Sequence, residues 1–220
     1  MKDKDLSAKL THVIDQMYAS RYFTNHGPLA RQFEKKIAQK TKFTNAVAIN
    51  NFEIALLIAI NVQDNIGALY SSGNNRLLDN ILTLSGLPSL TLREMANMKS
   101  EEATRGEGGQ NIIYCSGNDR VTFTADMENN DQFTLIEHTN LAEFKYKHIC
   151  KNYVAIVNLK EQFDLHHDFE GAVLLCDDDI LSEKFRNMRS SYGTNEQINV
   201  KATCNGRFSE FQAGLYLQYI

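Results

Sequence analysis

Residues Tyr153-Val154-Ala155-Ile156-Val157-Asn158-Leu159 form a nearly uninterrupted apolar run, and Phe169-Glu170-Gly171-Ala172-Val173-Leu174-Leu175 reads as the next one. Strict alternation would describe a strand with one wet face. A continuous run describes a strand buried on both faces, which needs helices above and below its sheet. The rest of the chain supplies that cover. Leu6, Leu10, Val13 and Met17 share one helical face, and Leu29, Phe33 and Ile37 share another, so two amphipathic helices are expected. Short β-type runs near 46–49, 67–70, 88–93, 111–116, 133–137, 153–159 and 171–175 alternate with helical segments, the period of a wound α/β sheet.

With 220 residues and 43% apolar side chains the chain can bury a substantial core as one domain. The net charge of −4 and the absence of any Lys/Arg run longer than two, or of a stripe, argue against a nucleic-acid surface. The longest apolar region, Ala46 to Val62, is broken by Asn50, Asn51, Glu53 and Asn61, so it is too short and too polar to span a bilayer. Met1-Lys2-Asp3-Lys4-Asp5 has no apolar core of a secretion signal. Cys115, Cys150, Cys176 and Cys204 are scattered, the usage of reduced thiols. A cytoplasmic location is expected, with no membrane and no nucleic acid among the partners.

Local signals place several helix ends. Asp177 to Asp179 should cap the helix containing Ile180, Leu181, Phe185 and Met188, and Ser209 with Gln212 has capping-box spacing. Lys99 to Gln110 reads as a polar surface loop. Its Gly106, Gly108 and Gly109 lack the leading strand and the lysine-serine or lysine-threonine pair of a phosphate cradle. His166-His167-Asp168 could contribute metal ligands with His138, but adjacent histidines diverge on an extended backbone, and no metal site is expected. Ser71-Ser72 and Ser190-Ser191 lack a nucleophile elbow.

Phe23-Thr24-Asn25-His26-Gly27-Pro28-Leu29, Phe33-Glu34 and Ala46-Val47-Ala48-Ile49-Asn50 open the chain, and Asn205-Gly206-Arg207-Phe208-Ser209-Glu210-Phe211-Gln212-Ala213 closes it. Together with Ile136-Glu137-His138 and the acidic turn and helix over 177–189, in that order and spacing, they resemble the sugar aminotransferases of the DegT/StrS type, which use pyridoxal phosphate. The resemblance implies a three-layer fold type I, aspartate aminotransferase-like large domain. Its sheet would be mainly parallel with seven strands, and helices would lie on both faces. Residues 1–220 would form that single large domain, and the family's smaller C-terminal domain would not follow.

The resemblance also states which chemistry each position should carry. A pyridoxal enzyme needs a lysine that forms an aldimine and then moves the substrate's α-proton. Counting from Tyr153 forward and from Ala172 backward brings that position to Phe163, and a phenyl ring cannot do this. Lys160, three residues earlier, is the one nearby amine and reads otherwise as an ordinary lysine at a strand end. The acidic partner of the pyridine nitrogen is replaced by His138, and Leu141 stands where a glutamine is usual. Glu137 precedes His138 and should face away from the pocket, because consecutive strand residues point to opposite faces.

The serine-glycine-threonine turn that takes the phosphate is replaced by Asn51, Phe52 and Glu53. A carboxylate about 4 Å from a phosphate charge repels it by roughly 4 kcal/mol at an effective dielectric near 20. Glu53 reads more simply as an acidic residue in a first helical turn. Asn158, at the end of the first apolar run, completes the altered cofactor positions. Asn205 and Arg207 match the loop that reaches a neighbouring subunit's phosphate across the dimer.

These substitutions lead to the expectation of a catalytically inactive aminotransferase homologue without a cofactor. It would act as a structural or regulatory partner in nucleotide-sugar or surface-polysaccharide biosynthesis, as a homodimer or as a heterodimer with an active aminotransferase. Two alternatives stay open. One is a divergent pyridoxal-phosphate transaminase using Lys160, and the other is a protein that binds a nucleotide-sugar, sugar or nucleotide in the vacated pocket.

Overall fold

The computed structural model describes residues 2–63, 66–71, 76–86, 89–91, 110–115, 132–138, 141, 144, 147, 152–163, 169–190 and 204–220. Two helices, α1 (Lys2–Ser20) and α2 (Pro28–Thr41), precede strand β1 (Asn45–Ile49) and helix α3 (Phe52–Asn61). Then come β2 (Ile66–Ser71), α4 (Arg76–Ser85), β3 (Ser89–Thr91), β4 (Gln110–Cys115), β5 (Gln132–His138) and β6 (Tyr153–Asn158). A one-turn helix α5 (Leu159–Phe163), β7 (Ala172–Cys176), α6 (Asp179–Arg189) and α7 (Glu210–Leu217) complete the chain.

The strands form one mixed sheet in the order β1-β7-β6-β5-β4-β2-β3. Strands β3, β2, β4, β5 and β6 run parallel, whereas β7 is antiparallel to both β6 and β1. Burial on both faces made β6 and β7 readable as strands but carried no information on direction. Nor does the second apolar run begin at Phe169, because the ladder starts only at Ala172.

Each face of the sheet has its own core. Val47, Ile112, Leu135, Ile156 and Leu174 turn toward α3, α4 and α6. Ala48, Ile113, Ile136, Val157 and Val173 turn toward α2 and α7. In α2, the expected Leu29, Phe33 and Ile37 are all buried. In α1 only Val13 of the expected face is fully buried, because the helix rests mainly on α7 and not on the sheet. Asp178 caps α6 by accepting from the Leu181 N–H at 3.0 Å. Phe185 and Met188 are buried, and Ile180, in the first turn, is 64% exposed.

Strand β1 is an edge, and an edge leaves every second N–H and C=O without a ladder partner. A buried ion cluster occupies these groups. Glu34 on α2 accepts from the Ala48 N–H at 3.0 Å, and Arg189 on α6 donates to the Ala48 carbonyl at 2.7 Å. Arg186 donates to the Ala46 carbonyl at 3.1 Å, and both guanidiniums reach the Glu34 carboxylate at 2.7 Å. Farther along, the Asn50 N–H donates to the Gly206 carbonyl at 3.1 Å, and Ile49 pairs with Arg207 as an isolated bridge.

The turn before α2 is fixed by a second buried carboxylate. Glu210, fully buried, accepts from the Leu29 and Ala30 N–H groups at 2.8 and 3.0 Å, the orphan donors of that helix start. A side chain at Gly27 would meet the Tyr22 ring and the Glu210 carboxyl, at 2.2 and 2.7 Å from its Cβ, which explains glycine there.

Candidate functional site

The matched positions follow the C-terminal ends of β1, β5 and β6, three strands that run the same way, and the 204–209 segment folds back on the end of β1. Asn50 and Asn51 carry the chain from β1 into α3. Asn51 is the N-cap of that helix, its Oδ1 accepting from the Ile54 N–H at 2.8 Å. Its amide oxygen therefore already satisfies one of the donors a phosphate would use. Phe52 is turned inward, 9% exposed, and belongs to the core under α3. Glu53 is exposed in the first turn, where a carboxylate suits the positive end of the helix. In that solvated position its repulsion of a charge about 4 Å away falls toward about 1 kcal/mol, weaker than the value expected for a shielded site.

Glu137 and His138 end β5 on opposite faces. Their register neighbours are Ile156 and Val157, which places Glu137 on the side of α3 and His138 on the side of α2. Glu137 and His138 thus turn to opposite faces of the sheet, as consecutive strand residues do. Glu137 accepts from the Tyr114 hydroxyl at 2.6 Å. The His138 Nε2 and the Tyr153 hydroxyl lie 2.6 Å apart, and the imidazole packs on Phe144 with centroids 4.6 Å apart. Leu141 is buried at 4% exposure among core residues, its N–H donating to Gln162 Oε1 at 2.6 Å.

Lys160 does not lie at a strand end. The ladder stops at Asn158, whose Oδ1 accepts from the Lys160 N–H at 3.2 Å and so opens the single turn of α5. Lys160 is exposed on that turn. Phe163 closes it and is half-buried. Its ring packs on Tyr216 at 5.6 Å and on Tyr219 at 6.1 Å between centroids, and it joins the core on the α2 and α7 side. Tyr216 is held in turn by a 2.7 Å hydrogen bond to the Phe169 carbonyl. Burial pushes its hydroxyl far above the ordinary phenol range, with the Glu170 carboxylate adding to the effect. An amine at position 163 would sit against this aromatic cluster.

The Asn205-Gly206-Arg207 segment is bound to its own subunit through its backbone. The Asn205 carbonyl accepts from Asn50 Nδ2 at 2.9 Å, and the Gly206 N–H donates to the Arg189 carbonyl at 3.1 Å. Asn205 itself is exposed, while Arg207 is half-buried with Nε 3.3 Å from the Ser190 hydroxyl.

Two residues tie this end of the sheet together without having been singled out as site residues. Gln212 closes the expected capping box with Ser209, and its amide also donates to the Asn50 carbonyl at 3.1 Å and the Glu170 carbonyl at 2.8 Å. The spacing that revealed the cap gave no sign of the other two bonds. His26, at a left-handed φ of 58°, is half-buried, and both its ring nitrogens are out of solvent with neither bonded to a described residue. Burial and the Arg189 charge push its pKa down to about 4.

Among the described residues no group of three or more histidine, cysteine or acidic side chains could hold a metal. No helix among them is long and apolar enough to cross a membrane. Cys115, Cys176 and Cys204 are free thiols. The Gly106–Gly109 segment and His166-His167-Asp168 lie outside the described residues.

The fold is the fold type I of the pyridoxal-phosphate-dependent aminotransferases. Within that class the similarity runs to sugar aminotransferases. The structure superposes on DesI, solved in the presence of its TDP-sugar product, with a TM-score of 0.73, 17% identity and 96% of this chain covered. A DegT/DnrJ/EryC1/StrS aminotransferase from Brucella abortus gives 0.72, 15% and 99%. Helicobacter pylori PseC, an aminotransferase of pseudoaminic acid biosynthesis, gives 0.67, 16% and 96%. The chain spans 57%, 64% and 62% of those three proteins. No protein-family model and no curated protein matches the sequence.

Of the positions expected to be altered, Phe163 is an aromatic ring in a cluster, His138 an imidazole beside the Tyr153 hydroxyl, and Asn51-Phe52 a helix cap followed by a core phenylalanine.

Proposed function

We propose that this chain is a catalytically inactive aminotransferase homologue that works as a structural or regulatory partner in nucleotide-sugar or surface-polysaccharide biosynthesis. The observation that carries the reading is the seating of Phe163 against Tyr216 and Tyr219. A side chain that has become part of the packing between α5 and α7 has a role that a catalytic lysine could not fill. The partner is a second copy or an active aminotransferase of the same fold. An apolar surface on α1 and the turn after it supports such an association, with Ile14 45%, Tyr18 69% and Phe23 52% exposed.

Two measurements test this. Incubation with pyridoxal phosphate should give no visible internal aldimine and, after borohydride, no reduced adduct. An adduct on Lys160 would establish the divergent transaminase instead. Co-expression with a sugar aminotransferase of this fold should give a stable mixed complex that Tyr18→Glu weakens. A strictly monomeric chain would remove the partner role and leave ligand binding by the altered pocket.

A further inference from the structure

The opposite end of β1, away from Asn50 and Asn51, opens onto a groove of about 640 Å³ between α2 and α6. Its lining includes Ala38, Phe43 and Ala46, and on the α2 side Arg31 and Lys35, with Lys42 as the left-handed C-cap just past the helix end. At about 100° per residue, positions 31 and 35 fall on one face of the helix, roughly 6 Å apart along its axis. The sequence, read as runs, showed no basic stripe. The helix sets these two side by side.

These charges are not spent inside the protein. Among the described residues no carboxylate pairs with Arg31, Lys35 or Lys42, and Arg31 donates only to the His26 carbonyl, at 3.0 Å. Glu34 lines the groove too, but it is held between Arg186 and Arg189, and Arg186 also pairs with Glu183 at 3.5 Å, so that cluster is neutral and its acids are engaged. The acids at this end are also engaged, Asp177 with the Thr44 N–H and Lys147, and Asp179 with the Asn45 amide. In a chain of net charge −4, a concave surface with three unpaired cations is the place where an anion gains most.

We propose that this groove binds a short oligophosphate, such as the tail of a nucleoside di- or triphosphate. Arg31 and Lys35 stand one turn apart, so a guanidinium can grip one phosphate through two N–H groups while the ammonium holds the next. Lys42 supplies the remaining charge. The volume is that of a small-molecule site. The Phe43 ring is already taken up by Phe144, Tyr153 and Lys147, so the anion is recognised by its charge and not through a stacked base.

Calorimetric titration of the full chain with tripolyphosphate in metal-free buffer tests the assignment. One saturable site is expected. Lys35→Glu and Lys42→Glu should each weaken binding by about tenfold or more, and Lys36→Glu, an exposed charge on α2 outside the groove, by no more than about twofold. Equal loss with Lys36→Glu would reduce the effect to general charge, and no saturable binding would remove the site. Hexaglutamate bound as tightly as tripolyphosphate would make the groove a dock for acidic protein segments and overturn the proposal.

Discussion

Glu34 and Arg189 meet inside the protein, Oε1 of the carboxylate 2.7 Å from Nη1 of the guanidinium, with side chains only 10% and 7% exposed. Both also bind Ala48, so the pair occupies the backbone of an edge strand as well as its own charges. Burial by itself would raise the Glu34 pKa, but Arg189 and Arg186 outweigh it and hold the carboxyl below its ordinary range.

Removing one member leaves the other charged and buried. Arg189→Met should therefore cost about 3–5 kcal/mol of unfolding free energy in urea, whereas an exposed ion pair such as Lys9–Asp5 should cost under about 1 kcal/mol. Because the Ala48 carbonyl loses its donor, the variant should also aggregate at concentrations where the parent stays dispersed, which light scattering would register.

His26 should give the protein a stability slope in mildly acidic solution. Its pKa is about 4 in the folded chain against 6.5 for an ordinary histidine, a shift set by burial and the Arg189, Arg186 and Arg207 charges against the opposing pull of Glu34. Between those values the unfolded chain binds a proton that the folded one refuses. Stability is thus full above about pH 6.5 and falls as the pH drops toward 4. His26→Asn tolerates the left-handed backbone and should flatten the fall in Tm over that window. A decline confined to pH values below the ordinary carboxylate range would trace instead to Glu34.

Phe163 is predicted to matter for packing. Phe163→Leu should cost about 1 kcal/mol and Phe163→Ala about 2 kcal/mol, below the value for a fully buried phenylalanine because the ring is half-buried. Phe163→Lys should lower stability without creating a pyridoxal-phosphate aldimine, judged by the absence of a visible band. A yellow, borohydride-reducible Phe163→Lys protein would mean that the site had lost only its amine.

Gln212 and Ser209 separate a cap from a crosslink. Ser209→Ala should cost about 1 kcal/mol, the usual value of an N-cap. Gln212→Ala should cost about 2 kcal/mol or more, since it also strips donors from the Asn50 and Glu170 carbonyls. Gln212→Glu keeps the acceptor in the box and loses those donors, so its denaturation midpoint should lie near that of Gln212→Ala. A midpoint near the parent's would show that the long-range bonds contribute little.

Much of this architecture could be read locally. The β-type run near 46–49 became Asn45–Ile49, and the one near 111–116 became Gln110–Cys115, because apolar periodicity and strand length are properties of neighbouring residues. The Ser209–Gln212 box was legible for the same reason. Lys160 was misplaced because a buried strand and a helical turn merge in one apolar run, and only the ladder of β6 with β7 shows where extension stops.

Taken alone, the order of residues settled the layered α/β character, the strand positions and the helix caps. These follow from interactions within a few residues or from side-chain identity. Folding in three dimensions decided that β7 runs against its neighbours, that Glu34 and Arg189 meet across 155 positions, that Phe163 finds two tyrosines, and that α2 lines up cations over a groove. Each depends on contacts between distant segments, whose pairing is chosen by burying both faces of one sheet at once, and that choice leaves no local mark.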